Sequence, residues 1–404
     1  MSAKPAASPE TPDLRVRVIP AISEIAAAEW DRCAAGPDRA GGPNPFTCHA
    51  FLAALEASKS ATARTGWQPQ HLVAECGGAI VGVAPCYLKS HSRGEYVFDA
   101  GWADAYERAG GSYYPKLQVA VPFTPATGRR LLVAPGPHAG VAETALAQGL
   151  VELCKLREAS SVHITFMTQA EWDRFGKRGF LLRNDQQFHW ENGGFSCFDD
   201  FLAALASRKR KVIRRERREG LAGGIEVAWL TGSDLTEAAW DAFFAFYMDT
   251  GSRKWGRPYL TRAFFSRLGE TMADQTVLIM AKRAGRYIAG AINFVGAGTL
   301  FGRHWGAIEH HPFLHFEICY YQAIEYAIAH KLGRVEAGAQ GEHKLARGYL
   351  PSTTYSAHFI ADPALRRAID DYLARERAYV EAAGRELREA SPFRKDPAHE
   401  DAGF

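Results

Sequence analysis

Apolar and polar positions alternate with a period of two in two separated stretches, LVAEC-GG-AIVGVAPCYL (Leu72–Leu88) and LIMA-KRAGR-YIAGAINFV (Leu278–Val295). Each is broken by a Gly-containing turn, so each predicts a β-hairpin. Setting Gly82 against Gly290 offsets the two hairpins by 208 residues. An apolar helical stretch and then a strand follow each one: Ala142–Glu158 with Ser161–Met167, which reads as a buried strand, and Pro312–Leu332 with Arg334–Gly338. The pattern is an internal repeat. It predicts two copies of a mixed α/β (α+β) unit, each with N-terminal helices, an antiparallel meander, a helix and a parallel strand. Around this frame the periodicity predicts helices from Ser23 to about Ala35, His49 to about Ser60 and Glu171–Arg178. It predicts strands over Arg15–Pro20, Tyr96–Trp102, Phe180–Trp190 (closing the first sheet) and Tyr355–Ile360, and a long loop over Gly110–Pro137. Gly36–Pro45 reads as a Gly/Pro loop. Asp362 and Pro363 cap a closing helix. The expected division is 1–13 disordered, 14–194 first domain, 195–390 second domain, 391–404 tail.

The 404 residues suit two domains better than one. At 47% hydrophobic and 23% charged the composition is globular. No apolar run reaches the roughly 18 residues of a membrane span, and MSAKPAASPETPD lacks the apolar core of a secretory signal; a cytoplasmic protein is expected. Seven cysteines without a CxxC pair argue for reduced thiols. No metal site is expected: Pro312 separates His311 from His315, which spoils the helical i, i+4 geometry. Net charge is +3, yet SRKRKVIRRERREG (Ser207–Gly220) holds eight Lys/Arg against two Glu, a local +6 that leaves about −3 for the rest. Its apolar stripe is narrow, so Arg208, Lys209, Arg210, Lys211, Arg214 and Arg215 are expected to face water or an anion.

The densest chemistry lies in GRVEAGAQGEHKLARGYLPSTTYSAHFI (Gly333–Ile360). After a short strand, Gln340, Glu342, His343, Lys344, Arg347 and Tyr349 crowd a loop whose small residues let backbone approach a ligand. A loop at a strand end with this content reads as a site. Arg347 suits a bidentate hold on phosphate or carboxylate. His343 either shuttles a proton near neutral pH or is an ordinary loop histidine. Glu317 opens the second-half helix with Tyr321 one turn on; it reads equally as a base or as an acid stabilised by the helix dipole. Arg303 and Trp305 are expected on one side of their strand, with Trp305 in the core or stacked on a cation.

Three segments carry a resemblance. SRKRKVIRRERREG is similar to the Lys/Arg-rich helix of the Fem-type peptidyl and aminoacyl transferases, GRHWGAIEHHPFLHFEICYYQAIEYAIAHKLGRVEAGAQ to their strand–helix–strand run, and GEHKLARG to their Lys-x-x-x-Gly loop. In this order the chain resembles the FemAB-like N-acyltransferases over nearly its whole length. The resemblance implies two tandem GNAT-like acyltransferase domains, with mostly antiparallel mixed sheets and flanking helices. It implies transfer of an acyl or aminoacyl group to a small-molecule or peptide amine, linked to peptidoglycan precursors. Glu317, Lys344 and His343 are then candidate catalytic residues; Arg347, Gln340, Glu342, Tyr321, Arg303 and Trp305 candidate substrate-binding residues; and Arg208, Lys211, Arg214 and Arg215 donor-binding ones. Lys344 corresponds to the family's loop lysine. The donor stays open between acyl-CoA and aminoacyl-tRNA, because the Gly-rich pyrophosphate loop of CoA-dependent relatives is missing: PGPHAG (Pro135–Gly140) and EHHPFLH stand in its places. A binder of RNA or another anionic polymer on a non-catalytic scaffold is the alternative reading.

Overall fold

A computed structural model describes residues 13–36, 43–255, 258–338 and 341–394; the side chains of 252–255 and of Glu342 lie outside the description. So do residues 1–12, residues 37–42 of the Gly/Pro loop, Gln340 and residues 395–404. Among the described residues fifteen strands form the frame: β1 (Leu14–Ile19), β2 (Trp67–Pro69), β3 (His71–Cys76), β4 (Ala79–Ala84), β5 (Cys86–Lys89), β6 (Lys116–Val119), β7 (Leu132–Val133), β8 (Ser161–Met167), β9 (Leu181–Glu191), β10 (Ile225–Leu230), β11 (Thr276–Arg283), β12 (Arg286–Gly296), β13 (Thr299–Ala307), β14 (Arg334–Glu336) and β15 (Leu350–Ile360). They make a four-stranded sheet, β1-β3-β4-β7, and an eleven-stranded one, β10-β11-β12-β13-β14-β9-β15-β8-β6-β5-β2.

The repeat in the sequence is a repeat in the fold. β1-β3-β4 and β10-β11-β12 are equivalent antiparallel meanders. In each half the strand after the helix pairs parallel with a strand before it, β8 with β6 and β14 with β13. Pro85 interrupts the first hairpin, so β4 and β5 lie in different sheets. The last strands are exchanged. β9, from the first half, pairs antiparallel with β14 of the second; β15, from the second, pairs with β8 of the first; and β9 and β15 pair with each other. The expectation that Phe180–Trp190 closes the first sheet is therefore corrected. The exchange joins the halves through backbone ladders, and one core runs across both: Phe46 packs edge-on against Phe294 at 5.2 Å and Phe51 against Phe264 at 5.7 Å.

Two further expectations change. Tyr96–Trp102 is no strand; a helix spans Ala100–Arg108, burying Trp102 and Ala103 on one face. Gly110–Pro137 is not one loop, because it holds β6 and β7. The polar residues of β6 are buried: Lys116 lies between Glu95 (2.7 Å) and Asp99, and Gln118 donates to Thr165 at 2.8 Å. The closing helix, Pro363–Glu389, is capped by the Asp362 side chain, which accepts from Leu365 N at 2.7 Å. No helix among the described residues is long and apolar enough to cross a membrane.

Candidate active site

β13 and β14 run side by side only from Thr299 to Phe301 against Arg334 to Glu336; beyond that β14 ends while β13 continues to Ala307. Past Phe301, β13 has no β14 residue to pair with. The chain leaves β14 through Gly338 (φ 79°) and makes a 3-10 turn over Glu342–Arg347, entered at Gly341 (φ 120°) and left at Gly348 (φ 89°). Positive φ at both ends of the turn is left-handed backbone that glycine adopts without a Cβ penalty. The turn folds Lys344 back under the strand end. Its ammonium, 1% exposed, donates to Gly338 O at 2.9 Å, and burial pulls it down from 10.5 to about 8.

The basic helix Ser207–Gly220 holds the turn through Glu216 and the segment that opens at Glu317 through Arg217. Glu216 accepts from the Arg347 guanidinium through both carboxylate oxygens, at 2.8 and 2.9 Å, and also from the Tyr321 hydroxyl. Arg347 also donates to His343 O at 2.7 Å and lies 3.5 Å over the Phe316 ring. Arg217 reaches Glu317 at 2.9 Å and Glu325 at 2.6 Å. Glu317 is fully buried, takes a further bond from Gln322 (2.8 Å) and opens a π-helical turn, Glu317–Tyr321. His343 meets the Tyr320 hydroxyl at 2.9 Å; burial, then Arg347 and Lys344, lower its pKa.

The turn and the basic helix thus bring Arg347 and Tyr321 together on Glu216, with His343 and Lys344 in the same turn; Glu317, four residues before Tyr321, is engaged by Arg217. A cleft of about 350 Å³ between the two elements is lined by Arg208, Lys209, Val212, Ile213, Glu216, Ala346 and Arg347. Lys211, Arg214 and Arg215 are exposed, as is Arg208 at the cleft; Arg214 pairs with Asp199 at 3.1 Å and Arg215 with Glu219 at 3.6 Å. Arg303 and Trp305 are not brought together. The pairing of β12 with β13 slips at Arg303, a bulge. Arg303 then reaches the backbone oxygen of Phe123 in the first half, while Trp305 packs on His315 at 5.2 Å beside a second cavity of about 530 Å³. Gln340 and the Glu342 side chain lie outside the described residues.

Four residues escape a reading of the sequence. Glu216 and Arg217 look like two more charges in a charged run; a carboxylate interrupting eight cations was the signal. Glu336 and His189 sit opposite each other on β14 and β9, a pairing the strand exchange creates.

The FemAB-like family profile, described as peptidoglycan biosynthesis/recognition, matches residues 21–395. No curated protein matches. Among solved structures, FemX is similar at 12% identity over 86% of this chain and 98% of its own, with a TM-score of 0.53. A tandem GNAT protein from the clavulanic acid biosynthesis pathway aligns at 14% identity over 87% of this chain and 99% of its own, with a TM-score of 0.45. At this distance the likeness to FemX is one of fold.

Proposed function

This chain belongs to the FemAB-like family of peptidoglycan biosynthesis/recognition proteins, and from that membership we propose that it moves an acyl or aminoacyl group onto an amine, with the transfer site where β14 ends beside β13. The observation that carries this reading is Lys344: a cation buried to 1% exposure at a strand end, in a turn latched to a strongly basic helix. An ammonium has three N–H donors, and the bond to Gly338 O uses one. The others are suited to the oxygen that becomes negative as the amine attacks a carbonyl carbon, where a fixed donor acts most strongly in a site poor in water. Arg347, fixed by Glu216 and stacked on Phe316, holds the turn and lines the cleft beside the basic helix. Arg208, Lys211, Arg214 and Arg215 offer charge to the phosphates of the donor, which both acyl-CoA and aminoacyl-tRNA carry. Glu317 acts through Arg217, as a positioning residue for the helix, and the acceptor is a small-molecule or peptide amine of the cell-envelope precursors, met in the cytoplasm. The two halves are two transferase-fold domains that divide near residue 195.

Thermal shift with acetyl-CoA, longer acyl-CoAs, alanyl-tRNA and uncharged tRNA tests the reading. A ligand at 100 times its Kd stabilises the fold by about 2.7 kcal/mol. A shift with alanyl-tRNA or an acyl-CoA that Lys344→Ala weakens supports a transferase. Equal shifts with charged and uncharged tRNA, steeply salt-dependent and indifferent to Lys344, favour the RNA-binding alternative.

A further inference from the structure

Amine transfer needs a group to take the ammonium proton, and the two buried glutamates of the latch are not free for it: Glu216 and Glu317 are both held by arginines. We propose that Glu336 is the proton acceptor of the transfer site, receiving the proton of an amine that reaches the end of β14 beside β13; this rests on the transferase reading above. Glu336 is the last residue of β14 and the last to pair with β13. Its side chain is 5% exposed, and Oε2 has no hydrogen-bond partner among the described residues. The backbone N–H of Thr127 supports the carboxyl group. Directly opposite on β9, His189 Nε2 lies 3.9 Å from Oε2. The Gln187 amide donates to Pro125 O at 2.9 Å, which turns its oxygen towards His189 Nε2 at 3.2 Å. That oxygen fixes the proton on Nε2 and leaves Nδ1 as a second unpartnered buried atom among the described residues. Burial lowers His189 to about 3, so the imidazole stays neutral and does not neutralise the carboxylate.

Charged groups face Glu336 from every side of this junction. Arg334 is on its own strand, tied to Glu191 of β9 at 2.6 Å; Arg303, with Tyr96 beside it, comes from β13; Arg130 approaches from the first-half loop; and Lys344 acts on His189. Burial prevails over these cations and raises Glu336 from 4.5 to about 7, where a carboxylate is both abundant and basic enough to act at neutral pH. The step balances simply. The ammonium N–H breaks and its proton goes to Oε2; the freed lone pair forms the C–N bond at the donor carbonyl. The C–O bond of an aminoacyl ester, or the C–S bond of a thioester, then breaks, and the departing oxygen or sulfur takes the second amine proton. Glu336 returns its proton to water.

The full chain and Glu336→Gln are compared with alanyl-tRNA and acetyl-CoA as donors and two acceptors of equal size, methylamine and hydroxylamine. Methylamine is a cation at neutral pH and hydroxylamine is not, so only methylamine needs the base. Glu336→Gln should lose about 100-fold or more in kcat with methylamine, keep its KM, lose the rise in rate between pH 6 and 8, and retain transfer to hydroxylamine. Equal losses with both acceptors, or an unchanged pH profile, would make Glu336 structural and overturn its role alone. No transfer by the unaltered chain from either donor would overturn the transferase reading and this proposal with it.

Discussion

Replacing Glu336 with glutamine should stabilise the fold in neutral and alkaline solution and change it little in acid. The carboxyl group is buried among β9, β13 and β14, and burial raises it from 4.5 to about 7. In the unfolded chain the same group ionises near its ordinary value. Below pH 4.5 both states hold the proton, and the stability contributed by the protonated side chain is fully present. As pH rises from 4.5 to about 7 the unfolded state gives up its proton and the folded state does not, so that stability is lost; above about 7 the loss is complete. Each pH unit in this window is worth about 1.4 kcal/mol, so the whole window amounts to roughly 3 kcal/mol. Glutamine carries no proton to lose and keeps an oxygen for the Thr127 N–H. Urea unfolding of both proteins at pH 5, 6, 7 and 8 measures the effect directly. The difference in favour of Glu336→Gln should grow by about 1 kcal/mol per pH unit from 5 to 7 and flatten at 8. A difference independent of pH would mean that Glu336 is ionised in the fold throughout, and that burial does not govern its proton.

Glu216→Ala should destabilise the chain by about 3–5 kcal/mol in urea unfolding, because it leaves the Arg347 guanidinium, 7% exposed, without its carboxylate; Glu216→Ala combined with Arg347→Met should recover much of that loss, and a single-variant loss under 1 kcal/mol would refute the latch. Reversing Lys211 and Arg214 to Glu should weaken tRNA binding and make log affinity fall less steeply with log salt, by about 0.9 in slope for each phosphate the helix no longer neutralises, with little change in melting temperature since both side chains are exposed; unchanged binding at low salt would remove the helix from the donor site. Burial holds Lys344 near 8, so transfer that depends on its ammonium should fall as pH rises through about 8, and a rate that keeps rising to pH 9.5 would exclude that dependence.

Much of the frame was legible in the chain. Ser161–Met167 is wholly buried, and its β-branched and aromatic content marked its limits. Both hairpins were legible from their glycine turns. What failed did so for physical reasons. β6 carries Lys116 and Gln118, whose burial depends on partners at Glu95, Asp99 and Thr165 that no local pattern reveals. Tyr96–Trp102 has the aromatic content of a strand, yet Trp102 and Ala103 bury along a helix face. The exchange of β9 and β15 is invisible to periodicity, because an apolar alternation fits either sheet equally. That exchange sets His189 against Glu336, so this part of the site could not be read from the chain. The turn around Lys344 was legible as a dense loop, but Glu216, the residue that latches it, was hidden in a run of cations.

Lys344 tests the central claim most directly. The purified chain and its Lys344→Ala variant are incubated with radiolabelled alanyl-tRNA or acetyl-CoA and a mixture of peptide and small-molecule amines, and amide product is counted. The unaltered chain should form product from one of the two donors, and Lys344→Ala should form it roughly 100- to 1000-fold more slowly, the scale for losing one oxyanion donor, with its melting temperature nearly unchanged. Full activity in Lys344→Ala, or no amide from either donor with the unaltered chain, would contradict the account.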